Sequence, residues 1–311
     1  MTDKRVCFDF EVDFSNGGGI QGQDFRLDII GDDIADDALA AFIIDDLRLL
    51  MVDEVRILNK TIITERHKRS GGEDTAEEGT ETETPTFVDL SHAIVDGMIT
   101  YKGLPAPLIC DHLSREQSRE TYAAGTEFQI GRLEMVGNTG TYIDTPFHRY
   151  PDGHDLEGLR LETVSNIPAV VIRVTGQTER AIDWHQFAAT NVTERAVLVH
   201  TEWSRHWGTD QYFEGHPFLT EAAAIHLRDR GAALVGIDSL NIDDTTGGTR
   251  PVHTVLLGAD IPIVEHMTNL DALPHAGFRF TAAPPKVRSM GTFPVRAHAI
   301  LGGTTHRPDE I

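Results

Sequence analysis

The stretch that decides the fold and the site is Gly-Asn-Thr-Gly-Thr-Tyr-Ile-Asp-Thr-Pro-Phe-His, residues 137–148. Small residues lead into Asp144, and a proline then stiffens the turn that carries His148. A carboxylate and an imidazole four residues apart on such a turn can face the same point. The pair can hold a metal ion with its water, or it can pass a proton. Which of these it does depends on the neighbouring polar side chains, Asn138 and Tyr142.

Size and cysteine content indicate a globular chain without a membrane span. The chain has 311 residues, which fits one large domain or two modest ones. It contains no run of roughly 18 apolar residues, and its first residues are charged rather than those of an apolar signal segment. Cys7 and Cys110 are the only cysteines, too few for a disulfide framework or a cysteine-based metal site. We therefore expect a cytoplasmic protein.

Charge excludes one class of partner. The formal net charge is −22, and no basic stripe is present that could displace counterions from a phosphate backbone. We therefore expect no nucleic acid as a partner. The lack of a long apolar run likewise predicts no membrane partner, and the expected partner is a small-molecule substrate.

Composition divides the chain into two unequal parts. Residues 69–86 are rich in Glu, Thr and Gly and predict an acidic flexible linker. Residues 1–68 predict a small α+β domain. Apolar residues alternate in its first two strands, Val6–Phe14 and Phe25–Ile29, and Val55, Ile57 and Ile62 suggest a third strand. Between them, one predicted helix carries Leu39, Phe42, Ile43, Leu47 and Leu50 on a single face.

Residues 87–311 predict an α/β domain, because short apolar runs alternate with helical patterns. The predicted strands are Ala169–Val174, Ala196–Val199, Ala232–Ile237 and Ile261–Val264. The predicted helices are Ile182–Ala189 and Thr220–Arg230, the second closed by Gly231.

Several segments in this larger part resemble the cyclase family of hydrolases, which includes bacterial kynurenine formamidases (arylformamidases) and isatin hydrolases. The resemblance extends from Phe87 to about Leu301, and residues 138–148 match the family signature His-x-Gly-Thr-His-x-Asp-x-Pro-x-His except at two positions. Further matches are Val88-Asp89-Leu90-Ser91-His92, Thr201-Glu202-Trp203-Ser204 (Thr-Gly-Trp-Ser in the family), Gly236-Ile237-Asp238-Ser239, His253 with Leu256-Leu257, Ile263-Val264-Glu265 and Pro294-Val295-Arg296.

The resemblance implies an architecture and an assembly. It implies a mixed, partly closed sheet flanked by helices, of the swivelling β/β/α type. It also implies a homo-oligomer, a dimer or a tetramer, with sites near the subunit contacts. Both expectations rest on analogy with the family.

The resemblance implies site roles one residue at a time. Family members carry two metal-binding histidines where this chain has Asn138 and Tyr142. The aspartate of the signature, a metal ligand that can bridge two metals, is retained as Asp144. The last histidine of the signature acts in catalysis and is retained as His148. A site for two metal ions would therefore lose both imidazoles of one ion.

The resemblance also implies a metal site with fewer ligands than the family's site for two ions. The later histidine and glutamate ligands of the family match His253 and Glu265, which with Asp144 give one nitrogen and two carboxylate donors. Three protein ligands and one open position are typical of a catalytic metal site. This donor set suits zinc or manganese, and also iron.

Three functions stay open on the sequence alone. The leading hypothesis is a hydrolase for a C–N bond of a small, aromatic amide, formamide or lactam. Here a metal-activated water reacts, and His148 is the general base and then acid. The second hypothesis needs no metal: Tyr142, Asp144 and His148 form an acid/base group for lactone hydrolysis, dehydration or ring closure. The third is a member that binds a ligand without turnover.

Aromatic residues are the candidates for holding such a substrate. Trp203, Trp207 and Tyr101 can stack on an aromatic ring, and Asn138 is a further candidate substrate-binding residue. For each tryptophan, a place in the core is the more common role.

Overall fold

The protein is described from a computed structural model. It describes residues 3–15, 17–29, 31–47, 49–65 and 84–302. The chain forms two compact units: the described residues before Pro85 together with Trp184–Asn191, and Pro85–Asp183 together with Val192–Gly302. The predicted linker, residues 69–86, lies almost entirely outside the described residues, and the predicted domain boundaries stay predictions.

The first unit is a three-stranded sheet with one helix. Its elements are β1 (Asp3–Phe14), β2 (Gly19–Ile29), α1 (Asp36–Asp46) and β3 (Val52–Glu65). The strand order is β2-β1-β3, and both pairings are antiparallel. The alternating residues Val6, Phe8, Phe10 and Val12 are buried together with Leu39 and Ile43 of α1. The predicted α+β character of this part is confirmed.

The helix of this unit ends earlier than the apolar pattern predicts. Helix α1 ends at Asp46, and the side chain of Leu50 is 83% exposed rather than on the buried face. The backbone leaves the helical conformation before β3, since Met51 has a φ of +62°. Leu50 therefore belongs to the connection and not to the helix.

The second unit contains a nine-stranded sheet with order β15-β7-β13-β12-β10-β8-β14-β16-β4. The strands are β4 (Thr86–Asp89), β5 (Leu108–Leu113), β6 (Ile130–Glu134), β7 (Tyr142–Asp144), β8 (Ile167–Arg173), β9 (Ala181–Ile182), β10 (Ala196–His200), β11 (Phe218–Leu219), β12 (Leu234–Ile237), β13 (Ile263–Glu265), β14 (Ala276–Thr281), β15 (Thr292–Pro294) and β16 (His298–Leu301). The helices are α2 (Arg115–Ser118), α3 (Glu221–Asp229) and α4 (Pro251–Leu257).

The nine-stranded sheet is mixed and curled, which confirms the predicted α/β class. Strands β8, β10, β12 and β13 run parallel to one another, whereas β8 pairs with β14 and β13 pairs with β7 in antiparallel fashion. Strands β10 and β12 are buried along their whole length, as expected for parallel strands covered on both faces. Among the described residues, no helix is long and apolar enough to cross a membrane.

One of the two predicted helices of this part is confirmed and the other is wrong. Helix α3 is confirmed, because the Thr220 hydroxyl accepts a hydrogen bond from the backbone N–H of Ala223 and Gly231 follows with a φ of +73°. The helix predicted at Ile182–Ala189 is absent. Ile182 instead pairs with Leu219 in a two-stranded sheet, and only Trp184–Gln186 form a 3₁₀ turn.

Candidate active site

The register of three strands places the polar side chains of the signature together. Strand β7 lies between β13 and β15, and Tyr142 stands directly opposite Glu265 while Asp144 stands opposite Thr292. Side chains two residues apart on a strand share a face, so Tyr142 and Asp144 point to the same side of the sheet. The sheet therefore brings Tyr142, Asp144, Glu265 and Thr292 into one buried cluster.

The turn after β7 brings His148 back toward Asp144. Residues Pro146–His148 form a 3₁₀ turn that begins with proline, whose fixed φ suits this position. Gly291 permits the close approach, because a Cβ atom at this position would lie 2.3 Å from the backbone nitrogen of His148. The Thr145 backbone N–H also donates to the Gly291 carbonyl at 2.8 Å, which fixes the turn against the chain before β15.

Asp144, His148 and His253 form a cluster suited to a cation. Each offers one ligand atom, and these atoms all lie within 4.8 Å of one another. Nε2 of His253 lies 3.6 Å from Oδ2 of Asp144, and Nε2 of His148 lies 3.8 Å from Oδ1. Among the described residues, Oδ2 of Asp144 is buried without a hydrogen-bond partner. A buried carboxylate oxygen in this state fits the role of a cation ligand.

Thr292 fixes the tautomer of His148. Its hydroxyl donates to Oδ1 of Asp144 at 2.6 Å and also lies 2.9 Å from Nδ1 of His148. A threonine hydroxyl has one proton, and here the carboxylate takes it. Nδ1 of a neutral His148 must then carry the proton that it donates to Thr292. The lone pair is left on Nε2, at the exposed edge of the cluster.

A second aspartate orients His253. Asp243 Oδ2 lies 2.6 Å from Nδ1 of His253, and the same carboxylate accepts the backbone N–H groups of Val252 and His253 at the start of α4. Because Nδ1 is held by Asp243, Nε2 faces Asp144 and Glu265. A carboxylate behind an imidazole is the usual support of a metal-binding histidine.

On the Glu265 side of the cluster, hydrogen-bond donors occupy both oxygens of the carboxylate. The Tyr142 hydroxyl donates to Oε2 of Glu265 at 2.5 Å, and the Asn241 amide donates to the same oxygen at 3.3 Å. The backbone N–H of Ile242 donates to Oε1 at 2.7 Å. Oε1 also lies 3.7 Å from Nε2 of His253. Glu265 is thus near the cation cluster, with both oxygens already engaged.

Burial and charge shift the titration of these groups. Burial alone lowers the pKa of His253, but its interactions with Asp144, Asp243 and Glu265 outweigh burial and raise the pKa to about 10. Burial raises the pKa of Glu265 to about 7, against the opposing charge of His253. Burial opposes the ionisation of Asp144 as well, but His253 and His148 hold its pKa below the ordinary value. A proton therefore occupies His253 wherever no metal ion replaces it.

Tyr142 stays protonated in this environment. Burial, followed by the negative charge of Glu265, raises the pKa of the Tyr142 phenol well above its ordinary value. A side-chain hydrogen bond from Asn138 opposes this shift, so Asn138 reaches the Tyr142 hydroxyl. These two residues form a hydrogen-bonded group beside Glu265, at the positions where the family signature carries two imidazoles.

Of the three aromatic residues predicted to hold a substrate, two adjoin the cluster. Tyr101 interacts electrostatically with Glu265 and hydrogen-bonds with side chains of the loop before α4. Trp207 stacks on His92 with ring centroids 4.1 Å apart, and its edge contacts His266, the neighbour of Glu265 in the chain. Trp203 lies apart: its indole N–H donates to the Tyr212 carbonyl, and its ring lines a separate cavity.

Sequence reasoning missed three residues that support the cluster. Asp243, Thr292 and Gly291 carry no local motif, and Thr292 lies 148 residues from its partner Asp144. No local signal marks Asp243, because helix α4 was not predicted and Asp243 lies seven residues before its N-cap, Arg250.

A known family matches this chain. The family described as "Putative cyclase" matches residues 88–244, just over half of the chain. The chain is 29% identical over 182 residues to a kynurenine formamidase of Geobacillus thermodenitrificans, covering 58% of this chain and 84% of that protein.

Solved structures agree on the fold. The structure of isatin hydrolase A from Labrenzia aggregata bound to benzyl benzoate has a TM-score of 0.60 at 22% identity and covers 70% of this chain and 94% of that one. A structure described as a potential metal-dependent hydrolase with cyclase activity has a TM-score of 0.58 at 25% identity, with 70% and 98% coverage.

The chain belongs to the cyclase family. Within that family it is an enzyme of the hydrolase type. The donor set of Asp144, His148 and His253 fits a divalent metal ion, since one buried oxygen of Asp144 has no hydrogen-bond partner in the part of the chain that the structure describes.

Proposed function

We propose that this protein hydrolyses a C–N bond of a small, aromatic amide, formamide or lactam with the help of one divalent metal ion. The observation that carries the proposal is the convergence of Asp144, His148 and His253 around a carboxylate oxygen that has no hydrogen-bond partner among residues 3–65 and 84–302 as far as these are described. The kynurenine formamidase named above acts on a formamide, judging by its name, and the isatin hydrolase on a lactam. Both support a carbonyl–nitrogen bond as the target.

Asp144 and His253 would hold the ion, and the predicted third ligand is Glu265. Nε2 of His253 lies within 4 Å of an oxygen of both carboxylates, and Asp243 fixes the ring in that direction. A bound divalent ion would lower the pKa of a water and polarise the substrate carbonyl. Zinc and manganese both suit one nitrogen and two oxygens.

His148 would move the proton. Its Nε2 lone pair lies at the exposed edge of the cluster, because Thr292 holds the proton on Nδ1. The imidazole takes a proton from the attacking water as the new C–O bond forms. It then gives that proton to the leaving nitrogen as the C–N bond breaks, so the products are a carboxylic acid and an amine.

Removal of the metal tests this function. The purified protein is treated with a chelator, and turnover of N-formylated arylamines and of isatin is measured before and after zinc or manganese is added back. The proposal predicts loss of turnover on chelation and recovery with metal. Unchanged turnover after complete metal removal would contradict it and would favour the metal-independent hypothesis, in which Tyr142, Asp144 and His148 act alone.

We also propose a cellular location and an oligomeric state for this enzyme. Cys7 and Cys110 are free thiols, which suits a reducing compartment, and we place the enzyme in the cytoplasm. We also propose that it works as a homo-oligomer, as the family resemblance implies.

A further inference from the structure

A cavity of about 290 Å³ lies in the second unit, apart from the candidate active site. The chain that leaves β8 supplies one wall with Val174 and residues 176–180, and the chain that leaves β10 supplies another with residues 201–203. These strands are adjacent and parallel. The carboxyl ends of parallel strands are the usual ligand-binding edge of an α/β sheet.

The cavity wall combines opposite charges with apolar surface. Glu179 and Glu202 contribute two carboxylates, and Arg180 and Arg205 contribute two guanidinium groups. Glu202 pairs with Arg205 at 3.2 Å and Arg180 pairs with Asp244 at 3.4 Å, but both pairs are solvent-exposed and weak, so the charged groups of a ligand can replace them. The apolar part consists of Val174, Ile182, Trp203 and Pro217. The indole of Trp203 is fixed by its hydrogen bond to the Tyr212 carbonyl at 3.0 Å. A ligand that suits this wall carries both a positive and a negative group beside an apolar body.

Glu202 has a strained backbone conformation, and hydrogen bonds to a neighbouring carboxylate hold it in place. Its φ of +63° lies in the left-handed region, which a glycine adopts freely and a glutamate does not. The buried carboxylate of Asp238 holds this conformation, because it accepts the backbone N–H groups of Thr201 and Glu202 at 2.7 and 2.9 Å and the Thr201 hydroxyl at 2.6 Å. The fold therefore keeps a carboxylate at a place where glycine would be the less strained residue.

We propose that this cavity binds a free aromatic α-amino acid. Its ammonium group pairs with Glu202, its carboxylate pairs with Arg180 and Arg205, and its ring lies against Trp203. Charge-assisted hydrogen bonds to both ends are stronger than neutral ones and select a zwitterion. The site goes beyond the proposed hydrolase function and does not depend on it.

Calorimetric titration with L-phenylalanine, L-phenylalaninamide and 3-phenylpropionate tests the proposal on the full chain. L-phenylalanine is expected to bind with a Kd of about 1 mM or tighter. The amide lacks the carboxylate and the propionate lacks the ammonium, so each is expected to bind about tenfold more weakly or worse. Equal binding of the amide would overturn the proposal, because the site would then accept the amino-terminal residue of a peptide.

Glu202→Gly provides the sharpest variant, because glycine suits the backbone there. It is expected to weaken L-phenylalanine binding about tenfold but not to weaken 3-phenylpropionate binding, because loss of Glu202 releases Arg205 from its ion pair. Glu194→Gly is the matched control, since Glu194 is an exposed glutamate with a φ of +55° outside the cavity wall. Glu202→Gln, which keeps the side-chain shape, should weaken binding as well. No binding of L-phenylalanine to the unmodified chain, or equal binding to Glu202→Gly, would overturn the proposal.

Discussion

The buried polar cluster has two halves that accommodate negative charge differently. In the open half, formed by Asp144, His148 and His253, one oxygen of Asp144 has no hydrogen-bond partner among the described residues. In the closed half, formed by Tyr142, Asn241 and Glu265, hydrogen-bond donors occupy both carboxylate oxygens. The two carboxylates belong to adjacent strands, so the difference lies in their neighbours rather than in their burial.

The comparison shows what one substitution can do to a metal site. Tyr142 stands where the family signature has an imidazole, and its phenol donates a hydrogen bond to Glu265 where an imidazole would offer a lone pair to a metal. A phenol with a raised pKa is a poor ligand for a divalent ion. We therefore expect one metal ion per chain, held by Asp144 and His253 of the open half together with Oε1 of Glu265, which lies 3.7 Å from Nε2 of His253.

Asp144→Asn should have the largest effect, because it removes the negative charge of the carboxylate whose Oδ2 has no hydrogen-bond partner among the described residues. We expect loss of the bound metal and a drop in turnover of about 10³-fold or more, since Lewis-acid stabilisation is worth several kcal/mol. Metal analysis and steady-state kinetics check this. Asp152→Asn, at an exposed site in the same loop region, is the matched control and should change neither quantity. Full activity of Asp144→Asn would show that the open half is not the reaction centre.

His148→Gln should lower turnover about 10²-fold, as expected for loss of a general base. The bound metal should remain, because Asp144, His253 and Glu265 are untouched. Turnover and metal content are measured on the same preparation. If the metal is lost together with activity, His148 is a ligand of the open half and the role of base must be reassigned.

Asp243→Asn should weaken metal binding about 10–100-fold, the range seen when the support of a metal-binding histidine is removed. The amide can no longer hold the proton of Nδ1 in the same way, so Nε2 of His253 becomes a weaker and less directed donor. Competition with a fluorescent chelator measures the affinity. An unchanged affinity would mean that Asp243 serves only to cap α4.

Tyr142→Phe should have the smallest effect, a loss of turnover of less than about tenfold, because it removes one hydrogen bond within the closed half. The metal-independent hypothesis predicts much more, about 10²-fold or greater, because Tyr142 is then the donor to a developing oxyanion. Kinetics of this variant with and without added metal separate the two hypotheses.

The sequence identified the four polar candidate residues of the site, but it did not identify the residues that orient them. Asp144 and His148 lie in one compact motif, and His253 and Glu265 came from the family resemblance. The register of β7 with β13 then explains why they converge. Thr292 and Asp243 could not be found this way, because their roles arise from strand pairing and helix capping between distant segments.

The predictions of secondary structure also succeeded where the signal was local and failed where a distant segment decided the conformation. Alternating apolar residues identified β1, and a threonine cap with a closing glycine identified α3, because those signals are local. The helix predicted at Ile182–Ala189 failed because its apolar spacing competes with a strand pairing to Leu219. A non-local partner decided the conformation there, and the sequence pattern does not contain that partner.

Calorimetric titration of the metal-free protein with zinc and manganese, at about pH 6 and about pH 8, tests the central claim most directly. The pKa of His253 is raised to about 10 and that of Glu265 to about 7, so both are protonated at the lower pH and metal binding must release protons. The account predicts one ion per chain and tighter binding at the higher pH. No binding, two ions per chain, or an affinity independent of pH would contradict it.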